Sequence, residues 1–166
     1  MHDHQAWREL IVERCGLELG ETRRNFLARR LWQRMSQLEI LTFGSYLERV
    51  QRDAGEWREL QELLINRETS FFRHQPSFDA LRSLLPKMLQ ARAGSRRGTE
   101  PLRLDLWSAG CSNGQEPYSM AMCALDAVAA GQITARVRVT GGDLSQLALA
   151  KLRAGRYTER QLADVP

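Results

Sequence analysis

No apolar run in this sequence approaches the roughly 20 residues that a membrane helix needs, so membrane insertion is not expected. The first residues, Met-His-Asp-His-Gln, lack a basic stretch followed by an apolar one and do not read as a secretory signal. Cysteine is scarce. Cys15, Cys111 and Cys123 are odd in number and form no C-x-x-C pair, which fits reduced thiols in a cytoplasm and supplies no metal site. His2, His4 and His74 are too scattered for a metal cluster. No G-x-x-x-x-G-K-[S/T] run occurs, so a P-loop is out. There is no nucleophile elbow, no paired His-Glu metal motif and no internal repeat.

What is present is ordinary for a globular chain: 166 residues, 43% hydrophobic and 27% charged, enough for one domain or two small ones. The net charge of +4 points to an acidic partner. Nucleic acid is not the expected one. The basic residues are mostly arginines spread over several helices, with no aromatic-interleaved patch and no DNA-reading motif.

Residues 6 to 65 read as all helix. Trp7, Leu10, Ile11 and Arg14 recur at helical spacing up to a stop at Gly16. Thr22 is the candidate cap of a second helix carrying Phe26, Leu27, Leu31, Met35 and Leu38. Thr42 caps a third through Tyr46, Leu47 and Val50, ending near Gly55, and a fourth covers Trp57 to Ile65. At about 100° per residue, Arg23, Arg30 and Arg34 fall within about 40° of one another beside the apolar face of the second helix. They form either a solvated face or a docking ridge for an acidic surface, since the arginine fork grips carboxylates in two places.

Asn66 to His74 mixes a polar cluster with adjacent Phe71 and Phe72. Two successive rings cannot face one core from a regular helix, so either the chain bends here or one ring packs on something that arrives later, such as a ligand. Ser77 to Met88 reads as helix, with Pro86 kinking or ending it. Residues 93–101 are a loop. Leu102, Leu104 and Leu106 then alternate as in a strand, and the chain breaks into Ser108-Ala109-Gly110-Cys111-Ser112-Asn113-Gly114. A helix follows from Glu116 to a stop at Gly131, with Pro117 in its first turn. Residues 136–140 form a second strand, ending in Gly141-Gly142-Asp143, and Ser145 caps a last helix that stops at Gly155.

A glycine loop after the first strand and an acid after the second suggest an adenosine-type cofactor. Only Gly110 and Gly114 are present where G-x-G-x-x-G needs three glycines, which disfavours a nicotinamide oxidoreductase. S-adenosylmethionine carries a ribose and no phosphate, and a looser loop with Asp143 would suffice for it. Asp143 on position alone is equally a structural turn residue.

These residues together resemble the CheR family of chemotaxis methyltransferases. The resemblance is carried by Thr69-Ser-Phe-Phe-Arg73, by Trp107-Ser-Ala-Gly-Cys-Ser-Asn-Gly-Gln-Glu-Pro-Tyr-Ser119, by Asp143-Leu-Ser145 and by Arg153-Ala-Gly-Arg-Tyr157. It implies transfer of a methyl group from S-adenosylmethionine to glutamate side chains on the cytoplasmic helical bundle of chemoreceptors, leaving S-adenosylhomocysteine. It implies that Thr69 and Arg73 wall the cofactor site from the linker side, that Ala109 and Gly110 lie under the methionine moiety, and that Asp143 meets the ribose or adenosine. Gln115 is carried over with them, although the family's Gly-Glu-Glu-Pro block has an acid there. Arg67 likewise stands where the family commonly has Asn. The family's basic second helix, implicated in receptor docking, has its counterpart in Arg23, Arg30 and Arg34. A glutamate nucleophile is already ionised at neutral pH, its pKa being about 4.3, so no general base is needed and alignment and desolvation carry the reaction.

The expected architecture is mixed: an N-terminal all-α domain (1–65), a linker and connecting helix (66–101), then the first half of a Rossmann-like methyltransferase domain (102–166). Two strands leave one face and an edge of a parallel sheet uncovered. The expectation is therefore a truncated chain, or one that completes its sheet as a homo-oligomer. The rival reading is a non-enzymatic module that docks an acidic helical partner through the arginine ridge.

Overall fold

A computed structural model describes residues 2–18, 20, 23–95 and 100–166, with the backbone alone at 2–4. The chain divides into two compact units, one ending at Asn66 and the other spanning Arg67–Pro166.

The first unit is α1 (His2–Cys15), α2 (Arg24–Gln37), α3 (Phe43–Arg52) and α4 (Ala54–Leu64). Gly16 stops α1 at φ +68°, its N–H returning to the Val12 carbonyl. Arg23 occupies the cap position of α2, and Thr22 lies outside the described residues. Thr42 caps α3 by accepting the Ser45 N–H at 3.2 Å. The third helix ends at Arg52, not near Gly55. Asp53 closes it and starts α4 at once, its Oδ1 accepting the N–H groups of Gly55 (2.8 Å) and Glu56 (3.1 Å). A strong side-chain cap thus leaves Gly55 inside the first turn of α4. Trp7, Ile11, Leu27, Leu31, Met35, Tyr46, Val50 and Leu60 meet in one core, the rings of Trp7 and Tyr46 lying 5.3 Å apart.

The second unit holds α5 (Gln75–Gly94), β1 (Leu102–Ala109), α6 (Gln115–Ala130), β2 (Ala135–Gly142), α7 (Gln146–Ala154) and a 3-10 turn at Glu159–Leu162. Helix α5 runs through Pro86 to Gly94. Leu85 and Leu89, on either side of the proline, are both sunk in the core, and that burial outweighs the lost backbone hydrogen bond. Strands β1 and β2 pair in parallel, from Leu102 opposite Ala135 to Ala109 opposite Gly142. Cys123, Ala124 and Ala127 are small enough to bring α6 close to the sheet beside Leu104. The opposite face of β1 is polar and open, with Arg103, Asp105 and a Trp107 that is 72% exposed.

Among the described residues, no helix is long and apolar enough to cross a membrane, and no cluster of His, Cys, Asp or Glu could hold a metal ion.

Candidate cofactor site

The site is assembled at the carboxyl ends of β1 and β2. As β1 ends, the N–H groups of Gly110 and Cys111 both donate to the Gly142 carbonyl, at 2.8 and 2.9 Å. This fixes the start of the loop against the end of β2. Gly110 has φ +74°, and apart from its immediate chain neighbours nothing lies within 4 Å of where a Cβ would stand. The backbone at Ala109 and Gly110 is therefore open to close approach by a ligand. Gly114 has the opposite surroundings. At φ +100°, a Cβ there would stand 2.6 Å from the Tyr157 hydroxyl and 3.0 Å from Leu152. Tyr157 in turn donates to the Asn113 carbonyl at 2.8 Å, so the far end of the loop is closed over by the segment after α7.

Asp143 joins the two strand ends. Its Oδ2 accepts the Ser112 N–H at 2.7 Å and its Oδ1 accepts the Ser145 N–H at 2.8 Å. Both oxygens are thus engaged by backbone, which realises the structural role. A carboxylate offers about four lone-pair positions, so two remain for hydroxyl donors such as those of a ribose. Ser145 accepts the Ala148 N–H at 3.0 Å and caps α7.

The segment before α5 reaches the same loop. The Ser112 hydroxyl donates to the Arg67 carbonyl at 3.3 Å. Phe71 and Phe72 are both buried because the chain bends, with Phe72 at φ +52°. Phe71 meets the Tyr157 ring at 5.0 Å and Phe72 meets Phe78 at 5.1 Å. Thr69 is half-buried. Arg73 is 48% exposed, donates to the Glu68 carbonyl at 2.5 Å, and lies 4.0 Å from the Glu68 carboxylate. With Ser70, Gln75 and Asp164 it borders a cavity of about 310 Å³.

Gln115 is buried, and its Oε1 has no hydrogen-bond partner among the described residues. Glu116, which the sequence reading did not single out, accepts the Ser108 hydroxyl at 2.6 Å. That contact brings a carboxylate from the first turn of α6 to the end of β1. Its place in the Gln-Glu-Pro-Tyr-Ser block was the available signal. Burial, and then the charge of Asp143, push the Cys111 thiol upward, which disfavours the thiolate. Burial pushes Tyr157 up to about 12, so its hydroxyl remains a donor.

The three arginines of the expected ridge, Arg23 at the cap of α2 and Arg30 and Arg34 within it, lie in the first unit and differ from one another. Arg23 is exposed. Arg30 stacks over Phe26 at 5.1 Å and donates to Gln33. Arg34 turns to Glu56, donating through Nε at 2.8 Å and Nη2 at 2.9 Å.

Two family models match the chain in succession: the all-alpha domain of CheR methyltransferase over residues 2–65, and the SAM-binding domain of CheR methyltransferase over residues 67–166. Chemotaxis protein methyltransferase 1 of Pseudomonas aeruginosa is 33% identical over 159 residues, covering 93% of this chain and 56% of the relative. The chemotaxis protein methyltransferase of Escherichia coli is 31% identical over 95% of this chain and 51% of its own length. The probable biofilm formation methyltransferase WspC of Pseudomonas putida is 38% identical over 90% of this chain and 33% of its own length. The chain spans about half the length of the first two of these curated relatives.

Proposed function

The chain belongs to the CheR methyltransferase family, and from that premise we propose that it supplies the helical domain and cofactor-binding segment of a cytoplasmic enzyme that methylates glutamate side chains on the helical bundle of a chemoreceptor. Its SAM-binding domain makes S-adenosylmethionine the cofactor. The observation that carries the reading is the open backbone at Gly110 beside an Asp143 carboxylate that keeps acceptor positions to spare.

In this reading Ala109 and Gly110 form the floor under the methionine moiety, and Asp143 receives the ribose hydroxyls. Glu116 adds an acceptor next to the floor. Thr69 and Arg73 close the site from the linker side, with Arg73 offering its guanidinium to a carboxylate. When bound, S-adenosylmethionine supplies a methyl group whose bond to sulfur breaks as the substrate carboxylate oxygen bonds to it, giving an ester and S-adenosylhomocysteine. The chain's residues need remove no proton, because a glutamate of pKa about 4.3 is already ionised. Their work is to hold the two reactants in line and to exclude water. Arg23 at the cap of α2 and Arg30 on that helix are the cations offered to an acidic receptor surface, whereas Arg34 is engaged by Glu56.

The test is transfer of a labelled methyl group from S-adenosylmethionine to a receptor cytoplasmic fragment. Label released as methanol by alkali identifies a glutamate ester. Cofactor binding with no label on the receptor counts against the proposed substrate.

A further inference from the structure

The Ser119 hydroxyl ties the bend at Phe72 to helix α6 within unit Arg67–Pro166. The Ser119 side chain is fully buried; it accepts the Phe72 N–H at 3.1 Å and donates to the Gln115 carbonyl, one turn earlier on α6, at 2.8 Å. Phe72 stands at φ +52°, a region that bulky L-residues rarely enter and keep only where their surroundings hold them. Here the surroundings do so from two sides. The ring is set between Phe78 at 5.1 Å and the Arg82 guanidinium at 4.8 Å. The N–H, buried with the residue, finds its acceptor in Ser119. Without that acceptor the turn would carry both backbone strain and an unpaired buried donor.

The left-handed residue decides where its neighbours go. Phe71 is sent to Tyr157, Phe72 to Phe78, and Arg73 outward to the rim of the cavity of about 310 Å³. We infer that Ser119 is a positioning residue for Arg73: its hydroxyl holds the turn at Phe72, and the turn fixes where the Arg73 guanidinium meets a carboxylate. The inference rests on Arg73 contacting the cofactor as proposed above. Ser119 is fully buried and acts only through the turn.

The experiment is calorimetric titration of S-adenosylhomocysteine into the wild type, Ser119→Ala, Arg73→Ala and the double variant, with melting midpoints recorded for each. Each single change is expected to weaken binding by about tenfold, and the double variant to bind within about twofold of Arg73→Ala, because residues that act through one another do not add. Ser119→Thr keeps the hydroxyl and is expected to stay within about threefold of the wild type. Losses that multiply in the double variant overturn the inference and leave the role of Arg73 standing. A Thr variant that folds yet binds as weakly as Arg73→Ala overturns it as well. Unchanged affinity in Arg73→Ala overturns the Arg73 contact, and the inference with it.

Discussion

Arg34 and Glu56 are joined by two parallel hydrogen bonds, Nε to Oε1 at 2.8 Å and Nη2 to Oε2 at 2.9 Å, and Tyr46 adds a third to Oε1 at 2.8 Å. The Glu56 side chain is only 3% exposed. A carboxylate so placed is tolerable because three donors satisfy it. Removing Arg34 leaves the charge buried with one neutral donor. Arg34→Ala is therefore expected to destabilise the helical unit by about 3 kcal/mol, whereas the exposed Arg23→Ala costs at most about 0.5 kcal/mol. Urea denaturation followed by circular dichroism separates the two. For the proposed docking role, Arg23 and Arg30 are the variants to interpret, since a loss in Arg34→Ala would mix docking with folding.

The same cluster sets a pH dependence. Burial alone would raise the Glu56 pKa, but the hydrogen bonds from Arg34 and Tyr46 outweigh it and hold the carboxyl below its ordinary value. A group whose folded pKa is depressed contributes stability that is present above its unfolded pKa, about 4.3, and is lost as pH falls through the folded value. Melting midpoints should fall between about pH 5 and pH 3, and Glu56→Gln should flatten part of that fall while lowering the midpoint at pH 7. A Gln variant with the wild-type slope would contradict this. Tyr46 shifts upward, chiefly by burial and then by its bond to Glu56, and stays neutral throughout the window.

Gly114 is under two constraints at once, φ +100° and the Tyr157 hydroxyl 2.6 Å from where a Cβ would stand. Gly114→Ala should cost about 2 kcal/mol or more in thermal or chemical unfolding. Adding Tyr157→Phe should recover only part of the loss, because the backbone strain and the contact with Leu152 remain. Full recovery would mean that the hydroxyl clash is the whole effect.

What was legible in the sequence was local. The 3.6-residue spacing of Leu27, Leu31 and Met35 and the alternation of Leu102, Leu104 and Leu106 give a helical part followed by a parallel strand pair flanked by helices. The glycine loop and Asp143 meet at the strand ends as a β-α-β-α order requires. The Thr42 and Ser145 caps are side chains bonded three residues ahead, which sequence spacing reveals. What escaped was set by distant partners. Arg34 turns inward because of Glu56, 22 residues away in sequence. Helix α5 passes Pro86 because Leu85 and Leu89 are held by the core of the second unit. The bend at Phe72 depends on Ser119, 47 residues later. None of these leaves a local period.

Asp143 bonds two backbone N–H groups, so its substitution affects the loop as well as any ligand. Asp143→Asn keeps one acceptor oxygen and turns an amide donor toward one of those N–H groups. It should lower the melting midpoint by a few degrees and weaken S-adenosylhomocysteine binding by about tenfold or more. A variant that melts lower but binds as the wild type does would restrict Asp143 to the loop.

The most direct measurement is calorimetric titration of the folded chain with S-adenosylhomocysteine, with NADH as the control. Saturable one-to-one binding near micromolar, corresponding to about 8 kcal/mol, with no heat from NADH, is the predicted result. A cooperatively folded chain that gives no heat with S-adenosylhomocysteine, or that binds NADH equally well, would contradict the placement of a methyltransferase cofactor site at Gly110 and Asp143.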